Sequence, residues 1–238
     1  MKYKLSHFSR TVAITLLFLA TAWLPVHADW TRPLRNSVPM SVLLCKYSDS
    51  PTPVDGIDFY RRFFTGTNGL DKYWQDISDG AIDLDGSVVR GWFTIDKTIQ
   101  AAKASKRDIK INDCVNQAKK DGYTRPDNHI LVVVTSPGFD AFGYRGVTFL
   151  AEGMSLSLAS HETGHGMGFS HSFSEDTSYC NAKWASKGEY GNWWDVMSHV
   201  TTYQRNDVGE LRAGGPGLNA YHLDRMGTYR HVCENTQH

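Results

Sequence analysis

Nearly continuous apolar runs along the chain predict two buried strands. The runs are SVLLCKY at residues 41–47 and HILVVVT at residues 129–135, and both have the length of a strand. The second run is rich in β-branched residues and has no polar face, which is typical of a central strand covered on both sides. A weaker apolar run between glycines at residues 143–153 predicts an edge strand.

Apolar residues at helical spacing predict four helices. The first covers residues 69–80 and ends at its glycine, and the second covers residues 105–120 and connects two strands. The third begins near Met154, and the fourth lies within residues 217–229. The residues that share one face of the second helix are Ile111, Cys114, Val115 and Ala118.

Residues 81–95, AIDLDGSVVRGWFTI, predict two strands joined by a turn at Asp85-Gly86. The carboxylates of residues 83–86 are possible calcium ligands, but a hairpin turn explains them more simply. The order of elements predicts an α+β (mixed α/β) fold, with strands and helices first and helix and coil afterwards. We find no internal repeat and no linker, and we predict a single domain over residues 29–238.

The first residues of the chain have the pattern of a secretory signal peptide. Lys2, Lys4 and Arg10 precede an uncharged apolar run over residues 11–24, and Val26-His27-Ala28 follows, with a cleavage site after Ala28. A membrane anchor is the alternative, but this run is shorter than the roughly 20 apolar residues that span a bilayer. We therefore predict cleavage of residues 1–28, no stable membrane insertion afterwards, and a secreted protein, extracellular or periplasmic.

The balance of charges limits the classes of partner, and the number of cysteines predicts disulfides. Lys+Arg and Asp+Glu both total 25, which gives no reason to expect a nucleic acid or an anionic membrane surface as a partner. Four cysteines in an exported chain predict two disulfides, for which three pairings are possible. We favour Cys45 with Cys114 and Cys180 with Cys233.

The stretch HETGHGMGFSH at residues 161–171 has the spacing of a metal site. His161 and His165 lie on one face of a helix, where two imidazoles can hold one zinc ion. A continued helix would carry His171 about 9 Å beyond His165, too far to share that ion. The helix must therefore end between these two histidines, and Gly168 permits the left-handed turn that brings His171 back as the third ligand.

Three imidazole ligands leave a fourth position for water, as in catalytic zinc sites. Glu162 follows the first ligand and is placed to act as a general base towards that water. A purely structural zinc site is the alternative, although such sites are usually closed by a fourth protein ligand and favour cysteine.

The same stretch matches the extended motif H-E-x-x-H-x-x-G-x-x-H of the metzincin metallopeptidases. NWWDVMSH at residues 192–199 resembles the methionine turn of that family, with Met197 beneath the zinc ligands. Within the metzincins the chain is most similar to the secreted peptidases of the immune inhibitor A and gametolysin type. That similarity rests on residues 69–93, on DVMS at the turn and on GPGLNAYHLDRMG at residues 215–227.

The resemblance implies a twisted mixed sheet with helices in an upper half, coil with a C-terminal helix in a lower half, and a zinc cleft between them. It also implies a zinc endopeptidase with one catalytic Zn²⁺, in which zinc-bound water activated by Glu162 hydrolyses peptide bonds. The partner would be a protein or peptide substrate, and we expect a monomer. Three alternatives remain: a catalytically idle zinc-binding recognition or adhesion module, a peptidase restricted to mucin-like glycoproteins, and a zinc hydrolase that acts on a non-peptide amide.

Several further residues are candidates for the site. His199 occupies the position at which several metzincins carry a tyrosine, and it could bind zinc, stabilise the oxyanion or simply pack in the turn. Tyr203 is a second candidate donor. An extended substrate could pair with residues 148–151 if they form an exposed edge rather than an interior strand. Trp193 and Trp194 could line a specificity pocket or divide between core and surface.

Overall fold

The computed structural model describes residues 36–175, 185–198, 203–205, 212–214 and 216–226. The strands are β1 (Asn36–Ser37), β2 (Met40–Tyr47), β3 (Ile82–Asp83), β4 (Val88–Ile95), β5 (Ile130–Ser136), β6 (Phe142–Tyr144), β7 (Val147–Ala151), β8 (Tyr203–Arg205) and β9 (Arg212–Gly214). The helices are α1 (Ile57–Thr65), α2 (Leu70–Ile77), α3 (Ile99–Ala104), α4 (Arg107–Lys120), α5 (Leu156–Gly166) and α6 (Ala220–Arg225).

A five-stranded sheet in the order β4-β2-β5-β7-β6 forms the centre of the molecule. Its first four strands are parallel, and β6 runs antiparallel to β7 at the edge. Every residue of β5 is buried, because this strand lies in the middle of the sheet with both faces covered. The predictions of a buried strand at residues 41–47 and of a central strand at 129–135 are confirmed, and the fold is mixed α/β, compatible with α+β.

Alternate residues of the central strands point to opposite faces of the sheet and enter two separate cores. On one face Val42 and Val132 pack with Trp74 of α2 and with residues of α5. On the other face Leu43 and Val133 pack with residues of α4. The sheet thus separates the core beneath α5, the helix of the histidine motif, from the core beneath α4.

A disulfide joins Cys45 of β2 to Cys114 of α4 in the second core. This pairing was predicted and is confirmed, whereas Cys180 and Cys233 lie outside the described residues. The predicted helix at residues 105–120 is also confirmed as the connection between β4 and β5, and its predicted face packs into the same core.

The two strands predicted around Asp85-Gly86 are observed as β3 and β4. They form no hairpin, because β3 pairs with β1 in a separate two-stranded sheet while β4 pairs in parallel with β2. Residues 143–153 are not one edge strand, because the chain turns at Gly146 and pairs β6 with β7. The edge of the sheet is therefore β6, and β7 lies inside it.

After α5 the described residues form the short strands β8 and β9 and the helix α6. The helix expected within residues 217–229 is observed as α6, and the chain after residue 226 lies outside the described residues. The predicted signal peptide, residues 1–28, lies outside them as well. Within the described ranges, every helix is too short or too polar to cross a membrane.

Candidate metal centre

Helix α5 carries the first two histidines and is fixed at both ends. The Ser155 side chain accepts a hydrogen bond from the backbone N–H of Leu158 at 3.2 Å and so caps its first turn. The helix ends at Gly166, and Gly168 follows with φ +91°, the left-handed conformation that reverses the chain. The helix therefore stops between His165 and His171 as the metal spacing predicted.

The reversal brings the three histidines together. The Nε2 atoms of His161 and His165 lie 3.1 Å apart, and one ring nitrogen from each of His161, His165 and His171 lies within 4.8 Å of the others. Imidazole nitrogens about 2.0–2.1 Å from a tetrahedral ion lie about 3.3 Å from one another, close to the 3.1 Å between His161 and His165. Among the described residues these three are positioned to bind a metal ion.

Each imidazole is oriented by a hydrogen bond from its other nitrogen. An Nδ1–H that donates to an oxygen leaves the Nε2 lone pair for a metal and fixes the plane of the ring. The pairs are His161 Nδ1 with the Val196 carbonyl at 2.7 Å, His165 Nδ1 with the Phe169 carbonyl at 2.8 Å and His171 Nδ1 with the Glu189 carboxylate at 2.5 Å.

Burial keeps the first two imidazoles neutral. Desolvation, followed by the nearby His165 ring, lowers the pKa of His161 to about 4. Desolvation is also the main cause that lowers the pKa of His165 to about 4, with a smaller contribution from His171. The neutral imidazole is the form that binds a metal, so both rings are in that form at neutral pH.

Glu162 belongs to α5, and its carboxyl contacts the edge strand β6. Its side chain is 9% exposed and accepts a hydrogen bond from the backbone N–H of Gly143. Burial raises the pKa of the Glu162 carboxyl to about 7, although the nearby Arg107 guanidinium lowers it. A carboxyl with a pKa in this range can take up and release a proton near neutral pH.

Strand β6 approaches α5 so closely that residue 143 must be glycine. An ideal Cβ at Gly143 would lie 1.8 Å from the Glu162 carbonyl oxygen and 2.7 Å from the His165 Cβ. The absence of a side chain thus allows the N–H of Gly143 to reach the Glu162 carboxylate.

The turn around Met197 lies against the same helix. Met197 is fully buried, and an ideal Cβ at Gly164 would lie 2.4 Å from its sulfur atom. The turn is held by Asp195, whose carboxylate accepts hydrogen bonds from the Met197 N–H at 2.8 Å and the His222 Nδ1–H at 2.8 Å. Asp195 and His222 are both fully buried, so this pair fixes α6 to the turn that supports the histidines.

Two residues of the site were not predicted. Glu189 holds His171 through Nδ1, and the Tyr190 hydroxyl lies 3.1 Å from His171 Nε2. They lie 18 and 19 residues after His171, in a described stretch without helix or strand. No helical or strand periodicity therefore relates their positions to that of His171. The sequence signal at this place is limited to the flanking glycines Gly188 and Gly191.

The remaining candidates from the sequence are His199, Tyr203, the two tryptophans and the strand at residues 148–151. His199 lies outside the described residues, and Tyr203 belongs to β8 without a described side chain. Trp193 and Trp194 are 47% and 80% exposed, so neither enters the core. Residues 148–151 belong to β7, the interior strand that was the alternative to an exposed edge, and Thr148 lies between Val132 of β5 and Gly143 of β6.

No protein-family model matches the chain, and a search of curated proteins gives no significant match.

Proposed function

We propose that the chain is a secreted zinc-dependent endopeptidase of the metzincin type. One observation carries the proposal: three oriented histidines converge on one point, and Glu162, next to the first of them, is buried beside the edge strand. A site that only binds a metal has no chemical use for a buried carboxylate at this place. The methionine turn against Gly164 and the mixed sheet with an antiparallel edge strand support the metzincin assignment.

The donor set favours zinc. Three imidazole nitrogens suit this ion and leave a position for water or substrate, and each ring has the supporting hydrogen bond common at zinc sites. Zinc held there would polarise a substrate carbonyl and lower the pKa of a water molecule towards about 7.

Glu162 is the residue that moves protons in this proposal. Its carboxylate takes a proton from the attacking water and passes it to the leaving amine. The Gly143 N–H fixes one side of the carboxylate, and burial keeps the proton affinity of Glu162 close to that needed at neutral pH.

The edge strand β6 is the surface that would bind an extended peptide. One side of β6 pairs with β7, and β6 is the last strand of the sheet. A peptide that adds to the other side would pair its backbone there beside Gly143, which contacts Glu162. This position replaces the predicted one at residues 148–151.

The test compares the mature protein with Glu162→Gln. We expect one zinc ion per chain in both proteins, measured by elemental analysis, and cleavage of casein by the wild type alone. A chelator such as o-phenanthroline should abolish that cleavage, and added zinc should restore it.

The other outcomes separate the alternatives. One zinc in each protein with cleavage of glycosylated mucin but not of casein would indicate a peptidase restricted to glycoproteins. One zinc in each protein with no cleavage of either substrate or of peptide libraries would indicate a recognition module. A wild type that binds no zinc would contradict the proposal itself.

A further inference from the structure

The segment at residues 186–190 is fixed to the chain that follows the third histidine. The backbone N–H of Ser174 donates to the Gly188 carbonyl at 2.8 Å, and Phe173 forms a β-bridge with Glu189. Gly188 has φ +80°, and an ideal Cβ there would lie 2.3 Å from the Ser174 carbonyl oxygen. The position of this segment relative to His171 is therefore determined by backbone contacts and by a residue that must be glycine.

Tyr190 is held with its hydroxyl towards the histidines. The hydroxyl lies 3.1 Å from His171 Nε2, and the tyrosine ring centroid lies 4.5 Å from that of His171 and 6.3 Å from that of His161. Tyr190 has φ +61°, a conformation that is rare for a residue with a side chain and that often occurs at functional sites.

The hydroxyl is on the metal side of the His171 ring. Glu189 accepts the hydrogen bond of Nδ1, so Nε2 is the nitrogen that faces a metal, and Tyr190 contacts that same nitrogen. When the Nε2 lone pair binds an ion, it no longer accepts a hydrogen bond from the hydroxyl. The phenol oxygen then lies beside the ion.

The spacing fits an additional ligand. Ligands about 2.0–2.1 Å from a tetrahedral zinc ion lie about 3.3 Å from one another, close to the 3.1 Å between Tyr190 and His171 and the 3.1 Å between His161 and His165. We propose that the Tyr190 oxygen is a fourth protein ligand of the bound ion, beside the three histidines. Water would take a fifth position, a coordination number that zinc can adopt. This inference rests on the metal site of the proposed function but not on peptidase activity.

The test measures metal binding in the mature protein and in Tyr190→Phe, with Tyr144→Phe as the matched control. Tyr144 lies on β6 and is 59% exposed. We expect Tyr190→Phe to bind zinc at least about tenfold more weakly than the wild type, because loss of a residue that only supports a ligand already weakens metal binding by about that factor. The affinity is measured by competition with a chromophoric chelator. The visible bands of Co²⁺ bound in place of zinc should become more intense, because four-coordinate Co²⁺ absorbs more strongly than five-coordinate Co²⁺.

Unchanged zinc affinity and an unchanged Co²⁺ spectrum in Tyr190→Phe would overturn the inference. The thermal unfolding of the metal-free proteins shows whether the variant is folded, so that a loss of affinity is not mistaken for a loss of fold. If the wild type and Tyr190→Phe bind zinc equally well, only the role of Tyr190 is contradicted, and the proposed peptidase is not. If the wild type binds no zinc, both proposals are contradicted.

Discussion

Glu189 orients the third histidine, and its removal should weaken metal binding. In Glu189→Ala the His171 Nδ1–H loses the acceptor that it contacts at 2.5 Å, and the ring becomes free to rotate and to change its tautomer. Partners of this kind contribute about 10- to 100-fold to metal affinity, so we expect a loss in that range, measured by competition with a chelator. Glu175→Ala, at an exposed glutamate four residues after His171, should bind zinc as the wild type does. Equal affinity in Glu189→Ala would show that Glu189 does not support the site.

The residues of the site differ in how far the sequence could predict them. His161 and His165 share a helical face by periodicity, and Gly168 marks the turn that returns His171, so all three follow from local geometry. Glu189 reaches His171 only because its segment pairs with the backbone at Phe173 and Ser174. Such a pairing depends on the path of the intervening chain, which no local pattern specifies.

At the scale of the elements, the contact between β6 and α5 should be intolerant of any side chain. Gly143→Ala would place a methyl group 1.8 Å from the Glu162 carbonyl oxygen, so the strand must move away from the helix. We expect a loss of about 1–3 kcal/mol or more in the free energy of unfolding, measured by urea denaturation, and a loss of casein cleavage.

Gly56→Ala is the matched control for this prediction. Gly56 precedes α1, and an ideal Cβ there meets no atom within 4 Å. We expect its free energy of unfolding to change by less than about 1 kcal/mol. Similar losses in the two variants would mean that the close approach of β6 to α5 is not required.

The elements were predicted best where the hydrophobic pattern alone decides them. The continuous apolar run of β5 and the one-sided pattern of α4 are such cases. The pairing of residues 81–95 was wrong, because a turn at Asp85-Gly86 fits a hairpin locally while β3 and β4 find partners in two different sheets. The pairing of β3 and β4 is decided by strands more than 40 residues away in the sequence. The edge position of β6 follows from the pairing of β7 with β5, which the local pattern does not specify.

At the scale of the whole molecule, the two cores should respond differently to mutation. The Cys45–Cys114 disulfide closes a loop of 69 residues in the core beneath α4. Its contribution to stability is about 4 kcal/mol in the chain-entropy description. The histidines lie across the sheet from this core, so loss of the disulfide should lower stability without changing zinc affinity.

Loss of the buried pair of Asp195 and His222 should lower both the stability of the protein and its zinc affinity, because this pair joins α6 to the turn that supports the metal centre. Asp195→Ala removes a fully buried acceptor and leaves His222 Nδ1 without its partner at 2.8 Å. Breaking a buried pair costs about 3 kcal/mol or more, and the adjacent carbonyl that orients His161 belongs to the same turn. We therefore expect lower stability in urea and weaker zinc binding together. The Cys45→Ala/Cys114→Ala variant is the control, since it should lose stability alone; if Asp195→Ala also kept full zinc affinity, the turn would not position His161.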